Sequence, residues 1–405
     1  MDAFVTALFL GAGYNAALVA IGAALLGFAA GAAGSFLYLR KRALVSDAVA
    51  HATLPGVALA FMLMVALGGD GRNLLGLLAG SALSAWIGLL IVEWMSRRTR
   101  LTEDAAIGAV LSVFFGMGVV LLTMIQTMSA GRQAGLEDFL LGATAGMLFQ
   151  DAVIIAVGGS LAGLATFILR RPMTLVAFDP GYAAASGYDV RRVDLAMMAL
   201  VMAVTVIGLK LVGLILIVAM LIIPPVTARF WTEKRARVVW YAGGLGALAG
   251  YVGAALSASA PALPTGPIIV LVSAALFVLS LFFAPARGVA AAVLRHRAFQ
   301  RRVHRRQGLL ALAHGETILE PYTIRVLMAE GLVRADGVAT EMGRALAAKI
   351  ARDERRWDVA REVHQDAGLT GRYDGLTPIE DVFTPDEIDA FDRAIGAPRA
   401  VEGPE

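Results

Sequence analysis

The sequence predicts an all-α, polytopic membrane protein: eight or nine transmembrane helices followed by a small, mostly helical domain. Three observations carry this. The 405 residues are 58% hydrophobic with a mean hydropathy of +0.71, whereas ordinary soluble domains are roughly 45–50% apolar. Apolar runs long enough to cross a bilayer, about 20 residues each, recur up to residue 285 and then stop. Glycine is abundant, at 44 residues, which suits helices in lipid, where small interface residues allow the close approach that packing there requires. The absence of cysteine excludes disulfides, thiolate metal sites and cysteine nucleophiles.

The runs fall at 15–38, 46–67, 74–95, 105–127, 151–169, 193–209, 211–228, 238–257 and 265–284. The start Met1-Asp-Ala-Phe4 lacks the basic residues of a signal peptide, so the first run is expected to remain as a span. The run 136–149 is too short to cross and reads as a partial or re-entrant helix. Basic clusters stand at Arg40-Lys41-Arg42, Arg97 to Arg100, Arg170-Arg171 with Arg191-Arg192, Lys234 to Arg237, and after 287. All of them fall on the cytoplasmic side if nine runs cross, 136–149 re-enters and the N-terminus lies outside. That arrangement needs a turn near Lys210.

The net charge of +3 averages unlike parts. Residues 1–285, the expected membrane domain, hold 17 basic and 13 acidic side chains. A basic cytoplasmic linker, 286–306, carries seven arginines and no acid, and the tail, 307–405, has 11 basic against 19 acidic residues. The tail reads as short amphipathic helices, with Gly331 to Arg344 forming a small turn between apolar pieces and Thr384 capping a helix whose first turn is acidic.

Asp47 and His51 are the leading candidates for chemistry. Four residues apart on a helix, they stack on one face, so a carboxylate and an imidazole can converge on one divalent cation. His51 is the only histidine before residue 296, and ionisable groups inside a span are costly unless used. The bland reading is that Asp47 caps its helix. Carboxylate with imidazole suits manganese, iron or zinc. Pro55-Gly56 follows within two turns and is expected to bend the helix. Asp104 and Asp151 are further pathway candidates, with capping as the alternative for Asp104. Glu93 and Glu103 lie near predicted span ends, where snorkelling would satisfy them. Asp179-Pro-Gly-Tyr182-Ala183-Ala184-Ala185-Ser-Gly187 reads as a short cytoplasmic helix between a proline start and a glycine stop, a shape that can dock into a partner's groove. No phosphate-cradling Gly-x-x-x-x-Gly-Lys-Ser/Thr motif occurs, so ATP, if used, binds to another chain.

Four segments in order carry a resemblance: Phe36 to Phe61, with Ser46-Asp-Ala-Val-Ala-His51 inside it; Asp104-Ala-Ala-Ile-Gly108; Phe178 to Gly187; and Val212 to Ala228. Together they resemble the permease subunits of metal ABC importers for manganese, zinc and iron, over roughly residues 10–285. The resemblance implies two permease chains, identical or related, around a central pathway, two copies of a cytoplasmic ABC ATPase, and an extracytoplasmic metal-binding protein. It implies that Asp47 and His51 are metal ligands and that Ala183 to Gly187 lies in the helix the ATPase pushes, although Pro180-Gly181 replaces the family's usual acid there. Residues 316–399 are similar to a shortened iron-dependent repressor, a winged-helix piece followed by dimerisation helices. Its acidic excess argues against nucleic acid as a partner, since duplex binding needs neutralised phosphates.

The expected function is therefore an inner-membrane permease, not itself an enzyme, that passes manganese, zinc or iron inward and holds no permanent cofactor. The alternative is a membrane-anchored, metal-responsive regulator acting through the tail.

Overall fold

Chain reversals rich in glycine and charge separate the apolar runs, and the runs fold as helices. The computed structural model describes residues 2–69, 71, 73–127, 149–260, 263–363 and 374–396. Contacts divide the chain into two units, Met1–Ala291 and Ala292–Glu405.

The first unit contains α1 (Asp2–Leu8), α2 (Tyr14–Leu39), α3 (Leu44–Ala66), α4 (Leu74–Arg98), α5 (Glu103–Thr127), α6 (Phe149–Phe178), α7 (Pro180–Ala185), α8 (Val190–Val212), α9 (Leu214–Trp231), α10 (Arg235–Ala258) and α11 (Thr265–Phe283). Asn73 and Asp189 accept backbone N–H bonds at the starts of α4 and α8, as N-caps do. Eight of these helices, α2 to α6, α8, α10 and α11, are long and apolar enough to span a bilayer, and α9 adds a shorter apolar stretch, Ile217–Trp231. The break expected near Lys210 falls at Gly213, whose φ of +78° only glycine adopts freely. There the chain bends back until Ile217 packs on Gly208. The run 136–149 lies, apart from Phe149, outside the described residues.

Helix α6 continues nine residues beyond the apolar run, through Arg170-Arg171, to Phe178. A charge ends an apolar run but not a helix, and the Arg170 guanidinium is accommodated over the Phe167 ring at 4.0 Å. At the centre of the unit α2 and α10 meet backbone to backbone. A methyl group on Gly31 would lie 2.1 Å from the Ala242 carbonyl oxygen, and one on Gly250 would lie 2.2 Å from that of Ala23.

The second unit takes most of α12 (Val289–His314), then α13 (Pro321–Ala329), α14 (Glu341–Val363), a 3-10 turn (Ile379–Asp381) and α15 (Pro385–Gly396). The arginine-rich stretch is thus helical from Val289 onward and continuous with residues 307–314. Thr384 and Glu387 form a capping box at α15, the glutamate accepting from the threonine N–H at 2.8 Å. Between α13 and α14 the chain makes one antiparallel bridge, Val333 with Ala339, about a turn at Gly337 (φ +82°). A two-stranded wing is not seen among the described residues.

Candidate functional site

The turn closing α2 sets the site. Lys41 takes a left-handed conformation (φ +59°), and α3 starts at Leu44 with Asp47 in its first turn. Ala43 occupies the N-cap position and no side chain caps the helix, so Asp47 is not spent as a cap and keeps its carboxylate near the positive end of the helix dipole. One turn on, His51 Nε2 lies 3.4 Å from Asp47 Oδ1, and the two half-buried side chains form a convergent nitrogen and oxygen pair. The His51 ring meets Phe115 of α5 edge-on, with centroids 5.0 Å apart. Its Nδ1 is buried without a hydrogen-bond partner among the described residues.

Pro55 deepens the pair's chemistry. It stands four residues after His51 inside an uninterrupted α3, and lacking an N–H it removes the ordinary helical donor to the His51 carbonyl. Gly56 then lets α4 approach, since a methyl group there would lie 2.2 Å from the Gly80 carbonyl oxygen. The segment after His51 is thereby held between α4 and α5, where Gly118 packs on Leu54 and Pro55.

Asp104 is exposed in the first turn of α5 and forms no ion pair among the described residues. It does not cap the helix either, because Thr102 Oγ1 accepts from the Ala105 N–H at 3.3 Å. Eleven residues separate it from Phe115, three helical turns, which puts both on one face. Asp151 sits near the start of α6, and its side chain is outside the described residues. In the segment 179–187 Asp179 caps α7 by accepting from the Tyr182 N–H at 2.8 Å, with Pro180 in the first helical position. Gly187 (φ +88°) ends it, and the Tyr188 N–H bonds back to the Ala183 carbonyl at 3.0 Å. Ala183 is buried against the unit, whereas Tyr182, Ala184, Ala185 and Gly187 face outward.

An ion network next to both segments escaped the sequence reading. Arg40 Nη2 lies 2.6 Å from Asp194 Oδ2, and Arg40 Nη1 donates to the Val176 carbonyl at 3.2 Å. Arg42 Nε lies 3.0 Å from Glu103, while Glu93 faces Arg97 at 3.0 Å and Arg191 at 3.6 Å. Glu93 and Glu103 are therefore held by arginines rather than simply reaching for water. The missed signal was Asp194, an acid inside the apolar run 193–209.

Comparison with known proteins is consistent with this geometry. The sequence profile described as ABC 3 transport family matches residues 14–284. The chain is 41% identical over 298 residues to the manganese transport system membrane protein MntC of Bacillus subtilis, covering 74% of this chain and 67% of that protein. It is 36% identical over 284 residues to the zinc transport system membrane protein TroC of Treponema pallidum, covering 70% and 94%. Among solved structures it resembles a chain of PsaBC from Streptococcus pneumoniae in complex with Fab, with a TM-score of 0.60 and 29% identity, over 71% of this chain and 98% of that one.

Proposed function

The chain belongs to the ABC 3 transport family, and from that premise we propose that it is the permease subunit of an ATP-driven importer that carries a divalent transition metal into the cytoplasm. The observation that carries the reading is the Asp47–His51 pair: oxygen and nitrogen donors one helical turn apart, beside a carbonyl deprived of its helical donor. The relatives above are named for manganese and zinc, which favours those ions over iron.

Among the described residues no cluster of three or more His, Asp or Glu side chains could hold a metal. The described residues thus supply one pair of side-chain donors, and a second permease copy presenting the same pair, with water, would complete the shell. Such a site is weak and exchangeable, as transit requires. ATP hydrolysis resides on a separate cytoplasmic ATPase, present in two copies, which engages the helix Pro180–Ala185. A metal-binding protein on the opposite side delivers the cation. The basic clusters favour a cytoplasmic tail, which on this reading serves as a regulatory or protein-contact module outside the family match. That match covers the spans, which favours the permease over a membrane-anchored regulator.

Uptake of radiolabelled manganese and zinc, in cells also supplying the ATPase and the binding protein, tests the reading. Asp47→Ala and His51→Ala should each lower uptake by at least about tenfold, since loss of even the outer-shell partners of metal ligands costs about that much, while membrane levels and ATPase co-purification persist. Undiminished uptake in both variants would refute the assignment.

A further inference from the structure

Several arginines of the first unit stand outside its ion pairs among the described residues, and three of them share one hollow. Arg170 and Arg171 on α6 and Arg237 in the first turn of α10 have no carboxylate partner among the described residues. They surround one open hollow of about 600 Å³, together with Thr174, Phe178 and Trp240, and no acid lies on its wall. Arg170 is oriented there by aromatic rings, its guanidinium 4.0 Å from the centre of Phe167 and 6.0 Å from that of Trp240. Those rings pack on each other at 5.5 Å.

A second hollow, of about 670 Å³, shares Trp240 and runs between α10 and α11. Tyr241, Gly244 and Leu248 line one side, and Leu276, Leu279 and Phe283 the other. Its floor is open at Gly244, where an added methyl group would meet nothing within 4 Å. Arg237 and Leu248 are three helical turns apart, about 16 Å along the helix. The groove therefore leads from the charged end of a spanning helix toward its middle. Exposed tryptophan and tyrosine at the charged end match the position such rings take at a membrane–water boundary.

We propose that Arg170, Arg171 and Arg237 hold the headgroup of an anionic phospholipid whose acyl chain lies in the groove between α10 and α11. Guanidinium forks match phosphate oxygens two at a time, and uncompensated basic pockets between spanning helices are suited to anionic headgroups. A free phosphate ion would use the arginine end and leave the apolar groove without a purpose. An acidic protein surface would leave the same groove exposed. A phospholipid occupies both ends at once.

The test uses the full chain in nanodiscs, with acyl-brominated phosphatidylglycerol or phosphatidylcholine as quenchers of tryptophan fluorescence. Phosphatidylglycerol should quench at about tenfold lower mole fraction or less, the scale expected when several arginines near the surface add their attractions. Trp231→Phe and Trp240→Phe together, both lining the groove, should remove most of that difference, and R170Q/R171Q/R237Q should bring phosphatidylglycerol down to the phosphatidylcholine level. Equal quenching by the two lipids in the wild-type chain overturns the proposal, and that comparison needs no variant to fold. Loss of the lipid preference on adding millimolar inorganic phosphate at constant ionic strength would assign the arginines to a free anion and overturn it too. So would a triple variant that keeps the lipid preference but no longer co-purifies with its ATPase, since the hollow would then be a protein contact.

Discussion

In the first unit α2 meets α10 through Gly27, Gly31, Gly246 and Gly250, with backbone against backbone, whereas the second unit fills its centre with Trp357, Phe383 and Phe391. The solvent accounts for the difference. In lipid a large apolar side chain gains little by leaving the surroundings for an interface, so association rests on close van der Waals contact, and glycine gives the closest. In water every apolar area removed from solvent is favourable, and big rings stacked edge-on remove the most. Trp357 and Phe383 stand 5.5 Å apart and Phe383 and Phe391 5.2 Å, both near perpendicular. The contrast is one of degree: within the tail, a methyl group added to Gly343 would lie 2.0 Å from the Leu332 carbonyl oxygen, as close as any such approach among the spans.

Gly31→Val should break the first unit outright, because the first carbon of the new side chain already overlaps Ala242. Overpacking generally costs about 1–3 kcal/mol and more where backbone is the obstacle. The expected result is loss of the monodisperse peak in detergent chromatography. A variant that elutes and melts like the wild type would show that the helices can separate without penalty. Trp357→Ala tests the other side of the comparison. It removes a fully buried ring and should cost about 3–5 kcal/mol, seen as faster amide exchange across 341–363 in the full chain with no change in α2 or α10. Exchange that rises in both units together would mean they do not fold separately.

The smallest effect sharpens the contrast in charge. In the tail Arg356 donates to both Asp392 oxygens, at 2.7 and 2.5 Å, and to Asp353 at 3.0 Å. The hydrogen bonds from Arg356, more than its charge alone, hold the Asp392 carboxyl below the usual carboxylate range, against an opposing effect of burial. A carboxyl depressed on folding contributes stability above its unfolded value, about pH 3.9, and loses it as the pH falls through the folded value. Protection of the α14 and α15 amides, measured relative to the intrinsic exchange rate at each pH, should therefore fall on acidification below about pH 4. Asp392→Asn should be weaker at neutral pH but less sensitive to acid, and an unchanged acid profile in that variant would remove Asp392 from the account.

Hydropathy made the spans legible, because a 20-residue apolar run has few other uses. It did not reveal where helices stop: α6 passes through Arg170-Arg171, and the break expected near Lys210 falls at Gly213, the next glycine along the chain and the one with positive φ. The Asp47–His51 pair could be read directly, since spacing within one helix fixes which side chains meet. Phe115 beside it could not, nor could Arg40 with Asp194, which lie 154 positions apart. Contacts of that range depend on how helices pack, and periodicity along the chain carries no record of it.

Where Gly31 meets Ala242 there is no side chain to yield. Neither α2 nor α10 can slide along the other without peptide groups colliding, so the two act as a single strut and any opening and closing of the pathway falls to helices seated less tightly. Probes on the two helices whose separation changed during turnover would contradict this.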